Sequence, residues 1–296
     1  MIAIFAKSYP SFFVEKMRVM FTELTNKKIS LAIYQPFYEL LKKDGFCIEC
    51  QCFNNNSDLP KNTKLFLSIG GDGTMLEAVT IVRNSKIPLA GINTGRLGFL
   101  ADIFFDEIKQ TIDLLCNEKY KLQPRSILEI TSENFEIGAC NFAFNDFTLQ
   151  KNHKAKLLRI NAAVNGKYLN TYWADGIIVS TATGSTAYSL SVGGPILLPE
   201  SKSLIISPIA SHNLSVRPIV LEESSIIELS IDGREESYMA SLDGRIIEVP
   251  PQVTFKVKLA KFQITMVQLP DYDFFSTLRN KLLWGIDKRN FAENKI

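Results

Sequence analysis

The sequence predicts an α/β protein in two parts, an N-terminal doubly wound (Rossmann-like) domain and a C-terminal β-rich (sandwich-like) domain. Up to about residue 120, apolar strand-like runs alternate with segments of helical period, the pattern of a parallel sheet covered by helices. Past Pro124 the texture changes to short β-rich runs with turn signals between them. A chain of 296 residues, 46% hydrophobic, can bury one large or two medium cores.

In order along the first part, "IAIFA" (2–6) reads as a buried strand and "SFFVEKMRVMFTEL" (11–24) as a helix. "SLAIYQPFYELLKK" (30–43) reads as a second helix that tolerates Pro36 near its first turn. "FCIECQCF" (46–53) and "KLFLSI" (64–69) read as strands, "TMLEAVTIVRN" (74–84) as a helix, "IPLAGIN" (87–93) as a strand and "DEIKQTIDLLCN" (106–117) as a helix. The β-rich part shows strand-like runs at 126–132, 135–144, 157–164, 177–182, 218–223, 226–231, 246–249, 253–259 and 263–269. Asn165-Gly166, Asp232-Gly233 and Asp243-Gly244 stand where hairpins would turn. The last segment carries Phe274, Phe275, Leu278, Leu282, Leu283 and Trp284, too many large apolar side chains for a solvated tail. The expected division is 1–122, 123–270, and a segment 271–296 that docks back on the first domain.

The 33 basic and 31 acidic residues leave a formal charge of +2, so no global field draws in nucleic acid or an anionic membrane. The chain shows neither a basic leader with a long apolar core nor a run approaching eighteen apolar residues, so the expected setting is the cytoplasm, without membrane association. Five cysteines include Cys47, Cys50 and Cys52, but the two histidines, His153 and His212, are remote and no second Cys-x-x-Cys completes a four-ligand set. They read as reduced thiols.

Two stretches carry chemistry. Gly70-Gly71-Asp72-Gly73-Thr74 falls between a strand and a helix, where backbone N–H groups at a positive helix terminus attract anions. Neither dinucleotide spacing nor a lysine follows the glycines. An acid stands there instead, suited to accept a proton from a hydroxyl attacking phosphate, or to cap the helix. The second stretch is "DGIIVSTATGSTAYSLSVGGP" (175–195), in which six of the seven residues from Ser180 to Thr186 are Ser, Thr or Gly. Such a segment offers hydroxyls and close backbone approach to a sugar, phosphate or purine, or forms a plain flexible loop. Lys151, Lys154, Lys156 and Arg159 make the densest positive patch, either for phosphate or as a solvated hairpin.

Taken in order, "GGDGT", "GINTGRLGFL" (91–100), "FND" (144–146), the 175–195 segment and "SHNLSVRPIV" (211–220) resemble the NAD kinase family, with weaker traces at "DGR" (243–245) and in the tail. The resemblance implies ATP-dependent phosphorylation of the 2′-hydroxyl of the adenosine ribose of NAD, giving NADP. It further implies a divalent cation such as Mg²⁺, NAD in the cleft between the domains, and a homo-oligomer of two or four chains. Residue by residue, it makes Asp72 the base, with Gly73 beside it, and puts Phe99 on the adenine side of the NAD site. Asn145 and Asp146 would grip the ribose hydroxyls and Asp175 would lie near the nicotinamide half. Thr183, Gly184 and Ser185 would belong to the same NAD site, Thr186, Ala187, Tyr188 and Ser191 would line the adenine pocket, and Ala210 would reach in from another subunit. Lys156 and Arg245 would complete the NAD contacts. The chain departs from the family pattern in having Asp146 where glutamate is usual, Trp173 where some members have arginine, Arg245 where glutamine or histidine is common, and Glu77 where some have a basic residue. "GGDGT" alone also resembles lipid and sugar kinases, the alternative activity; a non-catalytic NAD(P)-binding sensor is the other.

Overall fold

The protein is described from a computed structural model, which covers residues 1–95, 98–104, 108–152, 157–232, 237–270 and 272–284. It divides into two compact units, residues 1–123 with 264–296, and residues 124–263. The first unit contains β1 (Ile2–Phe5), α1 (Val14–Asn26), β2 (Leu31–Tyr34), α2 (Gln35–Lys43), β3 (Gln51–Phe53), β4 (Leu65–Gly70), α3 (Asp72–Val82), β5 (Leu89–Asn93), β6 (Ile103–Phe104), α4 (Ile108–Cys116) and β7 (Lys121–Arg125), the last crossing into the second unit. The second holds β8 (Leu128–Ser132), β9 (Phe142–Ala143), β10 (Asp146–Gln150), β11 (Leu158–Val164), β12 (Lys167–Ala174), β13 (Gly176–Thr181), α5 (Tyr188–Ser191), β14 (Ser203–Ile209), β15 (Ile219–Glu222), β16 (Ile227–Asp232), β17 (Tyr238–Leu242), β18 (Arg245–Val249) and β19 (Thr254–Leu259). β20 (Ile264–Gln268) and α6 (Phe274–Leu282) return to the first unit.

In the first unit the strands run β3-β2-β1-β4-β5-β20-β7, with β6 also paired to β5. The pairs β1 with β2 and β4, β2 with β3, and β4 with β5 are all parallel. This is a doubly wound sheet whose order reverses between β1 and β4, and such folds bind ligands at the carboxyl ends of the strands flanking that point. The Gly70–Asp72 turn leaves β4 there. α1 buries Met17, Met20, Phe21 and Leu24, one face at helical spacing, against a core that takes Ile4, Ile33, Leu67 and Ile92 from the strands.

The segment 30–43, expected as one helix, is a strand and a helix. Leu31, Ala32 and Ile33 are buried in the sheet, and Pro36 sits at the start of α2, where its missing N–H is harmless. β20 pairs in parallel with β5, Met266 opposite Leu89. α6 is capped by Asp273, whose carboxylate accepts from the N–H groups of Phe275 and Ser276.

The second unit has two six-stranded sheets, β15-β14-β13-β10-β17-β18 and β12-β11-β16-β19-β8-β9. One hydrophobic core draws Phe147, Val179 and Leu204 from the first and Ile130, Ile160, Leu229 and Val257 from the second, a sandwich arrangement. Asn165-Gly166 and Asp243-Gly244 do turn hairpins, each with positive φ at both residues (52° and 73°; 50° and 79°). Gly233 lies outside the described residues. β10, β12, β14 and β17 occur where the sequence suggested no strand.

Candidate active site

At the head of α3 the N-cap is Gly71, with no side-chain capping bond. Asp72, the first helical residue, does not cap the helix. Its carboxylate is directed at the segment after β5: Oδ2 accepts from the N–H of Phe99 (2.9 Å), and Oδ1 from those of Leu100 (3.0 Å) and Ala101 (3.1 Å). A carboxylate offers about four lone-pair sites, so among the described residues one on Oδ2 stays open. A Cβ on Gly98 would lie 2.0 Å from Oδ1, so residue 98 must be glycine for the carboxylate to sit there. Buried Asn93 ties the same segment to β5, donating to the Ala101 carbonyl (2.9 Å) and accepting from the Gly95 N–H (2.7 Å). At Gly73 a Cβ would meet nothing within 4 Å, which leaves the first turn open to approach. Glu77 pairs with Lys7 Nζ at 2.7 Å, so a cation does stand beside α3, supplied from the end of β1. Lys281 of α6 places its ammonium 5.1 Å from the Phe99 ring centroid.

In the second unit the chain turns through Phe144, Asn145 and Asp146 before β10. The buried carboxylate of Asp243 holds that turn, accepting from the N–H groups of Phe144 (2.6 Å), Asn145 (2.7 Å) and Asp146 (3.1 Å). From the other side the Thr181 hydroxyl donates to the Phe144 carbonyl (2.7 Å) and accepts from the Gly184 N–H (3.0 Å). A Cβ on Gly184 would fall 2.0 Å from the Asn145 carbonyl oxygen, so glycine alone allows the hydroxyl-rich turn to close on this one. The turn thereby brings Asn145, Asp146, Thr183 and Gly184 together. Three buried oxygens in these segments, Asn145 Oδ1, Ser180 Oγ and Thr183 Oγ1, have no hydrogen-bond partner among the described residues. Buried polar atoms are rarely left so, and such a set suits a polar ligand. Burial first, and then the charge of Asp243, push the Asp146 carboxyl up to about 7, against one favourable contact from the Thr148 hydroxyl.

The remaining expected residues divide. Ser185 is committed within its own loop, accepting from the Leu197 N–H (3.0 Å), and the Thr186 hydroxyl donates to the Thr183 carbonyl (3.2 Å). Ala187 is partly exposed, and Tyr188 and Ser191 are exposed around the short α5. Asp175 forms an ion pair with Lys151 at 2.7 Å and donates its N–H to the Ile209 carbonyl (2.9 Å), next to Ala210. It stands at the far end of the β10–β13 ladder from Asp146: the rungs run from Asp146 opposite Ser180 to Gln150 opposite Gly176, roughly 14 Å at the rise of an antiparallel strand. Arg245, expected on the dinucleotide, instead donates its guanidinium to the carbonyls of Leu242, Cys140 and Phe142 and lies beside Asp243. Lys156 lies outside the described residues. Trp173 has the Arg159 guanidinium 6.0 Å from its ring centroid. Sequence reasoning missed Gly98, Ser180, Thr181 and the carboxylate role of Asp243. Ser180 and Thr181 left a trace only within the hydroxyl-rich run, Gly98 only within "GINTGRLGFL", and Asp243 only as a hairpin residue and in "DGR".

Comparison with known proteins gives two family matches, the ATP-NAD kinase N-terminal domain over residues 54–120 and the ATP-NAD kinase C-terminal domain over residues 144–269, together more than half of the chain. An NAD kinase of Flavobacterium psychrophilum is 43% identical over 98% of this chain and 99% of its own. One of Bacteroides fragilis is 36% identical over 97% of this chain and 99% of its own. Among solved structures, yeast NADH kinase complexed with NADH superposes with a TM-score of 0.83 at 23% identity, covering 96% of this chain and 88% of its own. An NAD kinase from Archaeoglobus fulgidus in complex with ATP superposes with a TM-score of 0.72 at 22% identity, covering 95% and 98%. These two share the fold.

Proposed function

This chain belongs to the NAD kinase family, and we propose that Asp72 is its catalytic base, taking the proton from the 2′-hydroxyl of the adenosine ribose of NAD. In that step the ribose oxygen forms a bond to the γ-phosphorus of ATP, the bond from that phosphorus to the bridging oxygen breaks, ADP leaves, and the proton passes to Asp72 Oδ2. The observation that carries the assignment is the three backbone N–H bonds on the carboxylate. They fix its orientation, and among the described residues they leave on Oδ2 an open site at which a hydroxyl proton can be received.

Asn145, through its unpartnered Oδ1, and Asp146 take the ribose hydroxyls in this reading, with Thr183 and the segment to Ser191 around the adenine. The first-turn N–H groups of α3 near Gly73 face the phosphates of the donor. NAD and ATP as substrates agree with the NADH and ATP held by the two solved relatives. Among the described residues no three carboxylate, imidazole or thiolate side chains converge on a common point. Mg²⁺ is commonly held by one or two carboxylates together with substrate phosphates, and the cation is proposed to arrive with ATP. The chain is further proposed to act in the cytoplasm as a dimer or tetramer; no described helix is long and apolar enough to cross a membrane. A lipid or sugar kinase sharing "GGDGT" leaves the match over 144–269 unexplained.

Asp72→Asn tests the base. An amide keeps one oxygen for Leu100 and Ala101 but turns an NH₂ toward the Phe99 N–H, at a cost on the order of 1–3 kcal/mol. The variant is expected to fold, to bind NAD, and to lose at least about 10² in turnover with Mg-ATP, followed by an NADP-specific dehydrogenase. Turnover within about threefold of the parent would move the base elsewhere and return the non-catalytic part of Asp72, as a loop anchor, to first place.

A further inference from the structure

The Asp243 carboxylate plays no part in the roles assigned above, yet it is almost wholly buried, with its side chain 3% exposed. Burying an ionised carboxylate is costly unless hydrogen bonds replace its water. Here burial holds the carboxyl above its ordinary range, opposed by three consecutive N–H groups, all on the turn that carries Asn145 and Asp146. The attachment runs both ways, because the Asp243 N–H donates to the Asp146 carbonyl at 3.1 Å. Arg245, two residues on, holds the carbonyls of Cys140 and Phe142 on the approach to the same turn. A carboxylate bound by three successive N–H groups fixes those peptide planes, and with them the directions in which the two following side chains leave the backbone.

We propose that Asp243 is a positioning residue for the NAD acceptor site: through the 144–146 backbone it aims Asn145 and Asp146 at the ribose diol. The inference rests on the assignment of those two residues to the ribose, and it adds a specificity element that never touches the substrate. It makes the site's geometry depend on the β17–β18 hairpin, about a hundred residues away in sequence. The turn receives from Asp243 what the Phe99–Ala101 segment receives from Asp72, so one device is used twice in the chain, once on the reacting carboxylate itself and once on a carboxylate behind the site.

The test compares Asp243→Asn, Asp146→Ala and the double variant, each assayed well below its own melting temperature, with KM for NAD and KM for ATP measured separately. Asp243→Asn is expected to raise KM for NAD by about tenfold while KM for ATP stays within about twofold. The double variant should fall clearly short of additivity for NAD, because part of what Asp243 does is to aim the Asp146 side chain that is then absent, the rest being its hold on Asn145. A lowered melting temperature with an unchanged KM for NAD overturns the proposal, as does full additivity in the double variant. If Asp146→Ala itself leaves KM for NAD unchanged, the ribose assignment fails first, and the two failures are told apart. Should Asp243→Asn not accumulate as folded protein, Asp243→Glu, which keeps the charge but carries the carboxylate one methylene away from its place against the three N–H groups, takes its place in the same comparison. An unaltered KM for NAD in that variant likewise overturns the proposal.

Discussion

Asp146 stands where a desolvated carboxylate faces a second one, and its behaviour with pH follows from that. Its carboxyl titrates at about 7 in the folded chain because of burial and the Asp243 charge, against the ordinary value of 3.8 in the unfolded chain. Between those two values the native state holds a proton that the unfolded state has lost, so stability falls as pH rises through this window and levels off above it. Asp146→Asn removes the ionisation and should melt higher than the parent, by more at about pH 8 than at about pH 5. The same substitution should weaken NAD, because the ionised carboxylate is the better acceptor for two ribose hydroxyls. For the parent, kcat/KM for NAD should accordingly rise between about pH 6 and pH 8. Equal melting shifts at both pH values would show that Asp146 is ionised throughout. Gly98 is a second single-residue test, since a methyl group there would occupy the place of Asp72 Oδ1. Gly98→Ala should displace the carboxylate and lower turnover by on the order of 10²-fold, with the melting temperature much less affected, as the residue lies in a loop. A variant with parental kinetics would mean that the segment yields and the carboxylate stays.

At the level of elements, the two hairpins offer a matched pair. Gly166 and Gly244 both sit at left-handed φ with nothing within 4 Å of an added Cβ. Alanine at either should cost about 1 kcal/mol through backbone strain alone. Only Gly244 adjoins Asp243, so Gly244→Ala should also raise KM for NAD, whereas Gly166→Ala should lower the melting temperature and leave that KM in place. The same elements show what the sequence made legible. Asn-Gly and Asp-Gly between apolar runs specify a turn locally, and both hairpins formed where they were expected. The glycine turn after β4 was legible for the same reason: its chemistry lies within five residues. β2 was hidden because its four residues run without a break into α2, and four apolar residues carry no period that separates strand from helix. Pro36 was the available signal, read as a tolerated residue when it marks a helix start. β10 lay beyond the end of the strand-like run at 135–144, because polar Asn145 and Asp146 interrupt the apolar pattern although Asp146 already belongs to the strand. The carboxylate bonds of Asp72 and Asp243 were invisible, because each joins residues 27 to 99 positions apart and no local pattern encodes such a pairing.

For the whole molecule, the placement of Asp175 and Ala210 bears on assembly. The two lie side by side at one end of the β10–β13 ladder, with Ala210 exposed in the left-handed region at φ 46°, and Asp146 lies at the other end. A conformation that is unfavourable for alanine persists where something else requires it. Nearby, Trp173 is 50% and Leu214 87% exposed, large apolar side chains that a second chain could cover. If Asp146 serves the ribose within its own chain while Asp175 and Ala210 complete the site of a neighbour, each site in the oligomer needs two chains. Asp146→Ala and Asp175→Ala should then each be nearly inactive alone, and mixtures should behave differently. In a symmetric dimer formed by random mixing of the two variants, half of the molecules are hybrids, and each hybrid contains one site with both defects and one with neither. Co-expression of the two variants should therefore restore about a quarter of parental activity, with sedimentation showing that the active species is a dimer or larger. Activity no greater than the sum of the separate variants would place Asp146 and Asp175 in the same site of one chain, and full activity at a monomer's mass would remove the shared site altogether.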